Sequence, residues 1–258
     1  MSLIHPTAII DPAAQIDDGV EVGPYCIIGS QVNIGSGTRI ASHVVLKGPM
    51  QMGRNNQVFQ FCTLGEACQD KKYKGEPTRL HIGDDNIFRE ACTVHRGTVQ
   101  DAGVTCIGDR NLLMVNTHVA HDCCIGSDNI MANNVGLAGH VHIGDFVILG
   151  GMVGVHQFVR IGSYAMAAGG AILYKDVPAY VMVGGSPAGA RGMNFEGMRR
   201  RGMPAAAIAA LRKAYKLVYR QNRALELVMP ELEALALEWT EVALFMQTVQ
   251  ASVRGLAR

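Results

Sequence analysis

Four histidines, His118, His121, His140 and His156, fall close together around the middle of the chain. Imidazole is the side chain whose ordinary pKa lies nearest neutrality, so such a group suits proton transfer or metal binding. Asp122 follows His121 directly, and a carboxylate beside an imidazole can fix its tautomer and stabilise its cation. No Gly-x-Ser-x-Gly elbow, Walker loop or dinucleotide fingerprint is present, so a covalent acyl-enzyme has no support.

Two other stretches carry charge that chemistry could use. The segment holding Gln69, Asp70, Lys71, Lys72, Tyr73 and Lys74 is one. The arginine run Arg199-Arg200-Arg201 is the other. Each also has a plain reading, a solvated charged loop and an exposed basic face.

The scaffold that must position these groups is written in a repeat of six. An aliphatic residue recurs at Ile4, Ile10, Ile16, Val22, Ile28, Ile34, Ile40, Leu46, Met52, Val58 and Leu64. The phase resumes at Ile82, Phe88 and Val94, then runs from Ile107 to Leu173 with Ala167 as a small exception. Six is a multiple of the strand period of two and not of the helical 3.6, so every marked side chain points the same way from extended backbone. Strands this short cannot bury a face alone. Hexapeptide self-similarity therefore predicts a parallel β-helix with three hexads per coil. Glycines such as Gly23, Gly35 and Gly53 follow their aliphatic residues, and positive φ at the corners is the expected reason.

On this scaffold successive coils lie about 4.8 Å apart, and the four histidines are expected to stack along one edge as a single polar ladder. A metal site is the first rival. Zinc carbonic anhydrases on related repeats use a His-x4-His pair plus a third His one coil away; neither His118-x2-His121 nor His140-x-His142 has that spacing, so no metal is expected. The repeat breaks at Glu66 to His81 and again at about Gly97 to Cys106, and loops that interrupt a rigid solenoid are disproportionately functional.

Cys26, Cys62, Cys92 and Cys123 lie four positions after a marker, where small residues turn inward, and read as core filler. Cys68, Cys106 and Cys124 fall off that phase. Seven cysteines in such placement argue against a disulfide framework.

Beyond Asp176-Val177-Pro178 the texture becomes helical. The expected division is a β-helix over 1–186 and a helical domain over 187–258. Pro204 is expected in the first turn of a helix reaching about Gln221, Pro230 at the start of another, and Thr240 as cap of a third reaching Val253. Residues 187–258 carry eleven Lys and Arg against six Asp and Glu, a local charge near +5 in a chain of formal net charge +1. The whole molecule therefore lacks a nucleic-acid-binding signature, and the tail is where anionic partners would dock. The N-terminus has no signal-peptide pattern and no apolar run approaches about 18 residues, so a cytoplasmic protein without stable membrane insertion is expected. Its 48% apolar content is ample for a sizeable core.

Six motifs taken together are specific. They are His118-Val-Ala-His121-Asp122-Cys123, Leu137-Ala-Gly139-His140-Val141, Val155-His156-Gln157-Phe158, Gln69-Asp70-x-Lys72-Tyr73-x-Gly75-Glu76-Pro77-Thr78, His95-Arg96-Gly97-Thr98, and Asn194-x-Glu196-Gly197-x-Arg199-Arg200-Arg201-Gly202. In this order the chain resembles, along essentially its whole length, the UDP-N-acetylglucosamine O-acyltransferases of lipid A biosynthesis. The resemblance implies a left-handed coil, against the usual crossover hand, and a homotrimer with sites between neighbouring subunits. It implies transfer of a 3-hydroxyacyl chain from acyl carrier protein to UDP-N-acetylglucosamine by direct attack on the thioester, without a cofactor.

Under the same resemblance His121 is the general base, Asp122 orients it, and the Gly139 N–H stabilises the oxyanion. Asp70, Lys72, His118, His140 and Gln157, with Gln69 beside them, match positions that hold the sugar, phosphates or acyl chain. His156, Asn194, Glu196, Arg200 and Arg201 match positions around the nucleotide. Gly169 matches the position that sets acyl length. Glycine there leaves the groove open, which implies a donor of roughly fourteen carbons, each buried methylene adding about 0.8 kcal/mol.

Overall fold

The computed structural model describes residues 2–258. From Leu3 to Leu173 the backbone winds as a left-handed parallel β-helix whose strands are two to four residues long. Three sheets of eleven, nine and eight strands form its faces. The ladder register realises the hexad phase: Val22 pairs with Ile40, Ile40 with Val58, Val58 with Phe88, Phe88 with Leu113 and Leu113 with Met131. Each such pair stacks one inward side chain on the next, and Ile28, Leu46, Leu64, Phe88, Leu113, Met131 and Leu149 are fully buried. Each burial stabilises by about 1.5–3 kcal/mol. Cys26, Cys62, Cys92 and Cys123 are fully buried among them, as their phase predicts.

The glycines that follow the markers serve a different purpose from the one expected. Gly23, Gly35 and Gly53 do not take positive φ; that conformation falls two residues later, at Tyr25 and Asn55 among others, while Gly37 takes it in its own coil. A Cβ on Gly23 would lie 2.8 Å from the Ala41 carbonyl carbon, and one on Gly35 2.6 Å from that of Gly53. Glycine is required there because backbones of successive coils touch at the corner.

At the first coil Leu3 and Ile9 are exposed, since no coil lies beneath to cover them. The opposite end is covered. A hairpin not foreseen in the sequence, Val181–Gly184 with Gly189–Met193, extends the eleven-stranded sheet. Four helices follow: α1 Phe195–Arg200, α2 Ala205–Tyr219, α3 Leu225–Glu238 and α4 Thr240–Gln250. Leu211 and Ala214 of α2 and Phe245 of α4 are fully buried and continue the β-helix core.

The helical expectations need three corrections. Asn194 caps the unforeseen α1 by accepting from the Gly197 N–H at 3.0 Å. Pro230 does not start a helix but lies inside α3, where buried Val228 and Leu232 hold the turn it weakens. Thr240 is the first residue of α4, Trp239 is its cap, and the helix stops at Gln250 rather than Val253. The reason is Asp176, whose Oδ2 accepts from Ser252 Oγ and from the backbone N–H groups of Val253 and Arg254 at 2.8, 2.9 and 3.0 Å. That carboxylate takes the chain out of the helix and ties its end to the last coil.

Candidate active site

The two interruptions of the repeat span 67–78 and 96–103, between strands that resume the ladder on either side. The first rises beside an open cleft of about 630 Å³ on the nine-stranded face. Gln69 and Asp70 reach the cleft from this excursion, while His118, His121, Gly139, His156 and Gln157 line it from the coils. His95 and Tyr174 also line it; their column on the same face could have been found by counting coils.

His121 stands at the corner of its coil, 6% exposed. Its Nδ1 lies 2.9 Å from Asp122 Oδ2, and the Asp122 side chain is 1% exposed. A carboxylate only accepts, so Nδ1 donates its proton and the Nε2 lone pair is left for the cleft. Asp122 also accepts from the Thr98 N–H at 2.8 Å and the Thr98 hydroxyl at 2.6 Å. A buried charge needs such donors. Thr98 belongs to the second excursion, and its spacing from Asp122 gave no signal of contact.

The polar ladder divides at this corner. His118 and His156 share the cleft with His121, His118 bonding Thr93 Oγ1 at 2.7 Å and the His156 ring lying 5.7 Å from Tyr174. His140 instead turns to the neighbouring face. Its Nδ1 meets Asp101 Oδ2 at 2.8 Å, its ring stacks on Phe158 at 4.5 Å, and only its edge touches His121. There it borders a second cleft with His142, Arg160 and Arg254. Burial, then the neighbouring His118, push the pKa of His95 down to about 4. Burial followed by His121 lowers that of His118 as well. These rings are held neutral in the cleft.

His121, Asp122 and His140 each offer a ligand atom within one small volume, a convergence that sequence spacing did not foretell. The donor set fits a hydrogen-bonded group better than a metal. His121 Nδ1 and Asp122 Oδ2 are 2.9 Å apart, closer than the roughly 3.3 Å edge of a tetrahedral zinc shell, and the carboxylate is already engaged by Thr98.

The remaining expected residues lie elsewhere in the chain. Lys72 is exposed in a turn whose N–H donates to Asp70 Oδ1 at 2.9 Å. Asn194 is buried as the α1 cap, Glu196 pairs with Arg200 at 3.0 Å, and the Arg201 guanidinium covers the Phe146 ring at 4.8 Å. None of these lines the cleft. Gly169 is exposed at a corner, with Gly151 one coil below it.

Two family models match: the second domain of UDP-N-acetylglucosamine O-acyltransferase over residues 176–257, and the bacterial transferase hexapeptide over 13–48. The chain is 56% identical to an acyl-(acyl-carrier-protein)–UDP-N-acetylglucosamine O-acyltransferase of Stutzerimonas stutzeri and 52% identical to that of Saccharophagus degradans, each aligned over all 258 residues and the whole relative. Among solved structures it resembles the UDP-N-acetylglucosamine O-acyltransferase of Moraxella catarrhalis, at TM-score 0.98 and 52% identity over 99% of each chain. The UDP-N-acetylglucosamine acyltransferase of Arabidopsis matches at 0.87 and 37% identity, over 99% of this chain and 100% of that one.

Proposed function

The chain belongs to the acyl-(acyl-carrier-protein)–UDP-N-acetylglucosamine O-acyltransferases, enzymes of lipid A biosynthesis, and we propose that His121 is the general base of its reaction. The acceptor is the 3-hydroxyl of UDP-N-acetylglucosamine, and the donor is a 3-hydroxyacyl chain on acyl carrier protein. His121 Nε2 takes the hydroxyl proton as that oxygen attacks the thioester carbonyl. The new C–O bond forms, the C–S bond breaks, and the proton passes to the departing thiolate. Asp122 holds the ring and stabilises its cation. The Gly139 N–H, which no acceptor takes among the described residues, supplies a donor to the oxyanion. The observation that carries this reading is the lone pair of His121 Nε2, aimed into the cleft because Nδ1 is committed to Asp122.

Gln69, Asp70, Lys72, His118, His140 and Gln157 hold the sugar, phosphates and acyl chain in this reading, Lys72 and His140 from outside the cleft that the other four line, and His156 sits at the nucleotide. Glu196, Arg200 and Arg201 lie away from the cleft of their own chain, which favours a homotrimer in which a neighbouring subunit brings them to the nucleotide, with buried Asn194 fixing the helix that carries them. The enzyme works in the cytoplasm. No helix among the described residues is long and apolar enough to cross a membrane.

The test is His121→Ala, assayed with 3-hydroxyacyl carrier protein and UDP-N-acetylglucosamine. Turnover falls at least about a hundredfold with the fold retained. A folded variant of near-normal activity rejects the assignment, and a parallel assay with the 3-amino sugar tests the acceptor.

A further inference from the structure

The excursion over 96–103 has no part in the reaction as described, yet both of its ends close on Asp122. Gly97 forms its neck: a Cβ there would lie 2.3 Å from the Val104 nitrogen, so the two limbs of the loop touch. Just inside the neck, Thr98 is fully buried. On the returning limb Thr105 Oγ1 accepts the Asp122 N–H at 2.8 Å, holding the backbone of Asp122 at a φ of 58° that side chains seldom adopt.

We infer that Thr98 is a positioning residue for the acyl transfer, clamping the Asp122 carboxylate so that Oδ2 stays aimed at His121 Nδ1. The inference rests on His121 being the base. The torsion that swings a carboxylate about its last bond is soft, and a single hydrogen bond would leave it free to turn. Thr98 supplies one donor to each oxygen, its N–H to Oδ1 and its hydroxyl to Oδ2, and these define the plane of the group. A competitor is close by, since His140 Nε2 lies 3.8 Å from the same Oδ2. Released from the hydroxyl, the carboxylate can turn from His121 towards His140. His121 then loses both its tautomer lock and the anion that stabilises its cation.

Thr98→Val removes the hydroxyl and keeps the backbone donor and the branched shape. The expected result is a kcat lower by roughly tenfold or more, the scale of losing a hydrogen bond to a charged group. KM for UDP-N-acetylglucosamine stays within about twofold, since the hydroxyl does not touch the cleft. The pH profile of kcat/KM departs from that of the wild type, because the ring has lost its fixed carboxylate partner. The downfield imidazole N–H resonance of the His121–Asp122 pair disappears, and Thr98→Ser restores all three properties. Should the Val variant not fold, Thr98→Ala, which adds no bulk, takes its place. A wild-type pH profile and kcat in the Val or Ala variant, or a Ser variant as impaired as Val, overturns the inference. His121→Ala measured alongside separates the two ideas. If it is inactive while Thr98→Val is normal, only the role of Thr98 fails; if it is fully active, the base assignment and this inference fall together.

Discussion

Gly139 lies directly against the ring of His121: a Cβ at 139 would stand 2.5 Å from His121 Cε1 and 2.7 Å from Nε2. Real Cβ atoms do not approach so closely, so Gly139→Ala must displace the imidazole from its bond to Asp122. The expected outcome is a fall in kcat of about a hundredfold, the scale of losing a positioned base, with little change in thermal stability. Normal turnover in a folded Gly139→Ala enzyme would show that the ring need not stay where it is.

Metal-independence can be checked directly. Activity is expected to survive exhaustive chelation, because Asp122 Oδ2 is occupied by His121 and Thr98 rather than open to a cation. Loss on chelation that zinc alone restores would mean that His121, Asp122 and His140 bind a metal after all.

Stability should depend on pH through His95. Its pKa in the folded chain is pushed down to about 4 by burial and then by His118, from an ordinary value of 6.5. The unfolded chain therefore binds the proton more readily. The stabilisation from burying a neutral ring is complete above pH 6.5 and is lost as the pH falls from 6.5 towards 4. In His95→Gln the melting temperature should drop less between pH 7 and pH 4.5 than in the wild type; parallel curves would argue against a buried neutral His95.

The basic face of α1 offers a salt-dependent test. Arg200 pairs with Glu196 but remains 76% exposed at its side chain, within reach of an anionic partner. Arg200→Gln is expected to raise KM for the carrier-protein donor or the nucleotide sugar more at low ionic strength than at high, where the Debye length shrinks below about 8 Å. An identical ratio at every salt concentration excludes an electrostatic role.

Gly169 tests the acyl ruler. It does not need glycine's backbone freedom, since the positive φ belongs to Gly170 at 72°, and a Cβ on it would meet the Gly151 carbonyl oxygen at 3.3 Å and the Gly151 nitrogen at 3.9 Å. A larger side chain therefore fits by a small adjustment. If this exposed corner borders the path of the acyl tail, Gly169→Met shifts kcat/KM towards donors several carbons shorter, because the bulkier side chain blocks the longer chain. Superimposable chain-length profiles would make Gly169 a corner residue with no part in selection.

Much of this architecture is legible in residue order. A side-chain period of two makes a sixfold repeat point every marker inward, so the β-helix, its core and the inward cysteines follow from spacing alone. That Asp122 follows His121 is equally readable, but adjacency leaves their contact open, and the 2.9 Å hydrogen bond comes from the structure. Pro230 and the corner glycines show where such reading stops. Tertiary packing overrides proline's preference for helix starts, and Gly23 is required by the backbone of Ala41 one coil away rather than by its own φ.

Tertiary structure alone decided which groups surround the dyad. The two excursions stretch the ladder step from 18 residues, as in Ile40 to Val58, to 30 between Val58 and Phe88 and to 25 between Phe88 and Leu113. Residues that meet across coils there have no fixed separation in sequence. Hence Thr98 reaches Asp122 and Asp101 reaches His140 unannounced, and His140 leaves the ladder it shares on paper with His118. Hydrogen bonds to a buried carboxylate depend on direction to within tens of degrees, and that direction comes from how the excursions fold back on the coils, which no local periodicity encodes.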